Sequence, residues 1–342
     1  VSERLSDLPA YTDYVSTADA VSRAKPRWPF VIIAVLGALL IVAPILTGMF
    51  PRAVEAQAMI ESFSPYVTVS SVADYRGDIK ALDGAHADIR ALRDRGLENG
   101  RYDRVDRFVR DYPRIRSDIT SMIDSIDAER GNYQRLAALP PLGALPWLLA
   151  LPGVVLLGAG IIGFRRAADG HRAGGSRILA GAAALVLIVT PVAGGLFSAA
   201  TAAQPVLDGF GPILTHEQVR SLQGYFITLV AADGELNGRY VSAVRDAHPD
   251  ADLTDITALQ ARWQPMTARF AALVGAMNDN VDHFDAATAL NDATKSLGFN
   301  AFRGLGWFYL IPGVIALAAA AAGIRHRNPA LRTTPDNVGE TP

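Results

Sequence analysis

Charge-free apolar runs alternate along this chain with long stretches in which apolar residues recur at steps of three and four. The runs are 30–50, 145–164, 178–200 and 306–324, and none contains Asp, Glu, Lys, Arg or His. At about 1.5 Å of rise per residue, each is long enough to cross a hydrocarbon core of about 30 Å as a helix. About thirty residues precede the first run and no A-x-A site follows it, so it reads as a span and not as a cleaved leader.

Between the runs, the three-and-four spacing predicts helices with a single apolar stripe. In 51–142 the stripe passes through Val72, Tyr75, Ile79, Leu82 and Ile89, with His86 as a polar interruption. It resumes as Tyr102, Val105, Phe108, Tyr112, Ile115, Ile119, Met122 and Ile126 after Gly96 and the Asn99-Gly100 turn signal. That is the pattern of two helical arms folded back as a coiled-coil hairpin. In 201–304 the plan recurs, with a tip at Ala247–Asp252 where His248-Pro249 stops one arm and Asp252 can cap the next. Pro113 and Pro265 fall inside the two return arms, where each is expected to bend the helix.

The two halves also match each other. LIVAPILTGMF at Leu40–Phe50 returns as LIVTPVAGGLF at Leu187–Phe197, identical at six of eleven positions and 147 residues further on. The same offset pairs Gln57 with Gln204, Phe63 with Phe210, Pro65 with Pro212, Thr68 with Thr215 and His86 with Asp233. Near the ends of the halves the offset is 160, pairing Trp147 with Trp307 and Pro152-Gly153 with Pro312-Gly313. Matched order at both ends points to a duplication, with about thirteen extra residues in the second external loop. Each half reads span, external segment, span, which makes a parallel repeat about an axis along the membrane normal. Pro44 and Pro191, with Pro152 and Pro312, are expected to kink the spans.

The expected architecture is thus an all-α membrane protein with four transmembrane helices in two parallel repeats, the external hairpins forming one helical bundle. Its segments are a tail (1–29), TM1 (30–50), hairpin 1 (51–142), TM2 (145–164), a basic loop (165–177), TM3 (178–200), hairpin 2 (201–304), TM4 (306–324) and a second tail (325–342).

Charge sets the orientation. The short loop 165–177 holds Arg165, Arg166, Arg172 and Arg177 against Asp169, and Arg23, Lys25, Arg27, Arg325 and Arg327 flank the outermost runs. By the positive-inside bias both tails and the loop are cytoplasmic, which leaves the long loops outside a plasma (inner) membrane. The four loop arginines are expected to meet anionic headgroups. The chain has no cysteine, so the external segments must rest on helix packing and not on disulfides. Only three of the 32 basic residues are lysine, a bias that points to a GC-rich genome of the actinobacterial kind.

Little in the sequence reads as catalytic chemistry. The histidines are scattered, and Asp282-His283-x-Asp285 reads as a polar helix face and not as a metal site. No phosphate-binding or nucleophile motif stands in a credible context, so no catalytic residue, cofactor or metal is expected. His86 and Asp233 are candidates for a register-setting polar pair. Trp147, Trp307, Phe308 and Tyr309 are candidates for a lipid-facing belt or a lipid contact. Spans without an ionisable residue argue against an ion-coupled carrier.

The expected function is therefore a non-enzymatic structural or adaptor subunit of a cell-envelope assembly. Membrane lipids and an envelope protein or a second copy would be its partners, and nucleic acid would not. The alternatives are a lipid-binding or lipid-transport accessory protein and, behind it, an envelope sensor without its own output domain.

Overall fold

A computed structural model describes residues 27–96, 100–171, 173–296 and 304–322. Among them the chain is helical, without a strand: α1 (Trp28–Leu46), α2 (Met49–Phe63), α3 (Val69–Asp94), α4 (Asp103–Ala137), α5 (Leu145–Ala168), α6 (Gly174–Ala193), α7 (Leu196–Phe210), α8 (His216–Glu235), α9 (Val241–Ala247), α10 (Thr254–Ser296) and α11 (Leu305–Ala322). The fold divides into two compact units, one containing most of α1, α5, α6 and α11, the other comprising Thr47–Pro146 and Val192–Gly306. The expected turn residue Asn99, residues 1–26 of the first tail with Arg23 and Lys25, and the second tail with Arg325 and Arg327 lie outside the described residues.

In the first unit, α1, α5, α6 and α11 are each long and apolar enough to cross a membrane. Glycine sets how closely they pack. A methyl group added at Gly37 of α1 would lie 2.4 Å from the Leu157 nitrogen of α5, and one at Gly160 would lie 2.6 Å from the Ala34 nitrogen. Added at Gly153 it would meet the Gly37 carbonyl, Leu40 and Ile41; added at Gly313 of α11 it would meet the Ala184 carbonyl, Leu187 and Ile188 of α6. Small residues thus let these backbones approach, as helices in lipid require when no hydrophobic force separates protein from solvent. The opposite faces expose Val31, Val35, Leu39, Val154, Leu179 and Val186, a distribution suited to hydrocarbon.

The prolines act with glycines. α1 ends at Leu46, two residues past Pro44, and Gly48 follows at φ +61°; α6 ends at Ala193, and Gly195 follows at φ +64°. A helix break stands just beyond each of the two prolines, Pro44 and Pro191, where a bend is expected. Glycine takes the left-handed conformation there without the clash a Cβ would bring. Pro152 and Pro312 lie inside α5 and α11, which run unbroken across them.

In the second unit, α3, α4, α8 and α10 pack as a ring: α3 on α4 and α10, and α8 on α4 and α10. Below them α2 packs on α10 and α4, and α7 on α4. Thr68 and Thr215 cap α3 and α8, each hydroxyl accepting from the backbone N–H three residues on, at 3.0 Å and 3.1 Å. The interior holds two apolar clusters. One joins Phe63, Ile119, Met122, Phe210, Leu222 and Leu273, the other Leu82, Ile89, Phe108, Leu236, Val244 and Ile256. After Glu235 the backbone widens into a π-helical turn at Leu236–Tyr240 before α9. Such a turn accommodates an inserted residue within a continuing helix.

Candidate functional site

Two return arms of the second unit begin on carboxylates supplied from elsewhere in the chain. Glu235, at the end of α8, accepts hydrogen bonds from the backbone N–H groups of Arg104 and Val105 at 2.8 Å and 3.0 Å, in the first turn of α4. Asp88 of α3 accepts from those of Asp255 and Ile256 at 3.0 Å and 3.2 Å, in the first turn of α10. The opening N–H groups of any helix have no partner within it, and an acidic acceptor also answers the positive end of the helix dipole. Asp88 and Glu235 stand 147 residues apart.

Their charges are settled differently. Burial pushes Glu235 up, but the Arg239 guanidinium at 2.5 Å and the two backbone donors outweigh it and hold its carboxyl below the usual range. Asp88 is raised by burial despite its backbone donors, with the neighbouring charges of Asp255 and Asp252 adding to the rise.

The sequence placed the polar pair two residues too early. His86 lies at 3.3 Å from the Val109 carbonyl and packs its ring against Phe108 and Tyr112, all on α4. Asp233 accepts from Asn237 at 2.6 Å, one turn along its own helix. The structure therefore gives these two residues separate partners and does not bring them together. Burial lowers the His86 pKa and raises that of Asp233 to about 6.

A third polar centre is Asp78 of α3, which is buried. Arg269 of α10 grips both its oxygens, at 2.7 Å, and Arg262 reaches it at 3.1 Å. The two cations compensate the desolvated carboxylate, the condition under which such a charge is tolerated inside a protein. Sequence spacing alone missed this cluster because Asp78 lies next to the stripe residue Ile79, while its partners are 184 and 191 residues away.

The second unit also holds a cavity of about 80 Å³ lined by apolar side chains, among them Met49, Ala56, Met59, Leu145, Leu196 and Ala203. Several lining residues are 147 apart: Met49 and Leu196, Ala56 and Ala203, Met59 and Val206, Ile60 and Leu207.

The candidate belt residues divide. Trp147 and Trp307 are 55% and 50% exposed, Phe308 is half-buried, and Tyr309 is fully buried. Tyr309 is thus a packing residue and not a lipid-facing one; position 149, 160 earlier, is the equally buried Leu149. Among the loop arginines, Arg165 and Arg166 are exposed in the last turn of α5, and Arg177 is half-buried with its guanidinium 5.4 Å from the Phe30 ring. Arg172 lies outside the described residues.

Of the Asp282–Asp285 segment, Asp282 stands 3.5 Å from His216, and His283 is 3.1 Å from the side-chain oxygen of Asn280. No group of three or more His, Asp or Glu side chains converges to hold a metal among the described residues. Compared with protein-family models, curated proteins and solved structures, the chain matches none.

Proposed function

We propose that this chain is a non-enzymatic adaptor subunit of a cell-envelope assembly, built from two parallel span–hairpin–span repeats. Both tails lie in the cytoplasm, and the second unit projects outside the membrane to bind a protein partner. The repeat draws support from the geometry shared by residues 147 apart: the left-handed Gly48 and Gly195, the Thr68 and Thr215 caps, and the Asp88 and Glu235 acceptors.

The observation that carries the adaptor reading is the outer face of α8. Ile227 is 68% exposed and Val230 is 43% exposed, beside Gly224 and Gly234, over which a methyl group would meet nothing within 4 Å. On α3 the positions 147 earlier are Lys80 and Asp83, and Asp83 pairs with Arg116 at 2.6 Å and accepts from Tyr112 at 2.8 Å. An uncharged apolar strip on one helix of an otherwise charge-rich unit is a surface for another protein.

The test is purification of the tagged full-length protein in mild detergent, with co-eluting proteins measured for wild type and for Ile227→Glu/Val230→Glu. A stoichiometric protein that is lost from the variant supports the reading; a protein retained equally by both, or none with the wild type, defeats it.

A second reading, a lipid-binding accessory protein, is favoured by the apolar cavity.

A further inference from the structure

A proline inside a helix leaves one carbonyl without its donor, because the residue four positions on has no N–H to give. In α4 the proline is Pro113, and the carbonyl is that of Val109. Val109 is half-buried and packs on the apolar cluster around Phe108. An acceptor left unmade in such a place is costly. The side chain that reaches it is His86 of α3, with Nε2 at 3.3 Å. A carbonyl oxygen can only accept, so the contact is a hydrogen bond when the ring proton sits on Nε2.

We propose that His86 stands in for the N–H that Pro113 lacks, donating from Nε2 to the Val109 carbonyl, and so latches α3 to α4 where the backbone bonding of α4 is interrupted. The latch acts within the first hairpin, whatever partner the second unit binds.

The surroundings are built for that role. The imidazole lies 4.7 Å from the Tyr112 ring at 34° and meets the Phe108 ring edge-on at 5.9 Å, which fixes the plane in which Nε2 points. One turn earlier on α3, Asp83 accepts from the Tyr112 hydroxyl at 2.8 Å and from Arg116 at 2.6 Å. α3 thus holds α4 at Val109, Tyr112 and Arg116, on both sides of Pro113. The other return arm of the second unit makes a different demand. Pro265 of α10 orphans the carbonyl of Ala261, but Ala261 is exposed and water can serve it. Asp233, the residue 147 beyond His86, turns instead to Asn237 of its own arm.

The test is a double-mutant cycle on the full-length protein in detergent: wild type, His86→Phe, Pro113→Ala and the two together. Each is followed to its midpoint of thermal unfolding by circular dichroism. His86→Phe keeps an aromatic ring and removes the donor, while Pro113→Ala gives α4 its own N–H for Val109. His86→Phe is expected to lower the midpoint by about 4 °C in the wild type, but by about 1 °C or less beside Pro113→Ala. Equal losses in the two backgrounds overturn the proposal, since the imidazole would then only fill space. If His86→Phe does not fold, His86→Leu replaces it with the same contrast expected. A second measurement covers a Pro113→Ala that does not fold. With 15N-labelled histidine at about pH 8, the His86 ring of the otherwise unchanged protein is expected as the Nε2–H tautomer. A ring protonated at Nδ1 would overturn the latch.

Discussion

Residues 147 apart meet the same demand in the two halves of this chain, often with different side chains. At the start of α10 the acceptor is Asp88, half-buried among further carboxylates; at the start of α4 it is Glu235, buried and neutralised by Arg239. In the spans, Gly37 touches the backbone of α5, while the matching contact to α11 is made by Ala184. The comparison separates what each site needs from what it tolerates. Both corners need a carboxylate oxygen over two N–H groups, and both helix pairs need a small residue, but the companion charge and the last methyl group are free to differ.

The sharpest way to break the comparison is Gly37→Ala, which copies the second half into the first. Because the new methyl group would strike the Leu157 nitrogen and the Gly153 carbonyl, the expected loss is about 3 kcal/mol, the upper end of overpacking costs. It would be read as lost monodisperse protein in detergent size-exclusion chromatography. Ala184→Gly meets no such clash and should cost only about 1 kcal/mol of helix propensity.

The corners come next. Glu235→Ala strands one buried and one partly buried N–H group and removes the carboxylate partner of Arg239, for an expected loss of about 2–3 kcal/mol by thermal or denaturant unfolding. Asp88→Ala removes a more solvated cap and should cost about 1 kcal/mol. Equal losses would show that the difference in charge compensation is immaterial.

Acid should divide the matched residues further. The folded-state pKa of Asp233 is raised to about 6, so its favourable contribution is complete below the ordinary aspartate value and is lost as pH rises through 6. Asp233→Asn should therefore stabilise the protein at pH 7.5 by about 1 kcal/mol, discounted for partial exposure, and the gain should fade toward pH 4. The lowered pKa of His86 works in the opposite sense: the stability of its neutral ring is present above pH 6.5 and is lost on acidification. A melting-temperature series from pH 4 to 8 on Asp233→Asn and His86→Leu would separate the two. The smallest effect on stability, within about 0.5 kcal/mol, is expected for Ile227→Lys, which brings the α8 face closer to that of α3.

Much of this fold is legible in the sequence because its signals are local. Runs without charge mark the four apolar helices, and the three-and-four spacing marks the arms, whose predicted residues Val105, Phe108, Tyr112, Ile115 and Ile119 are all buried. Offset matching finds the pair 86 and 233, within two residues of the carboxylates that do the capping. What the sequence hides is cross-chain geometry. Nothing near Asp88 or Asp78 in the chain announces that their partners lie 167 to 191 residues further on. Tyr309 was misplaced for a related reason: an aromatic beside Trp307 suits an interfacial belt, but the rotation of α11 turns it inward. The cavity, too, was invisible, since alanines in an alanine-rich chain do not reveal the space they leave.

The capping across the ring has a consequence for synthesis. When α4 emerges from the ribosome, the acceptor for its first turn does not yet exist, since Glu235 follows Arg104 by 131 residues. The converse corner is ready sooner, because Asp88 is already made when Asp255 arrives, 167 residues later. The first hairpin must therefore wait, incompletely satisfied, until α8 of the second has been translated, and long-range contacts of this kind slow folding and prolong exposure. The finished unit closes from its late half onto its early one.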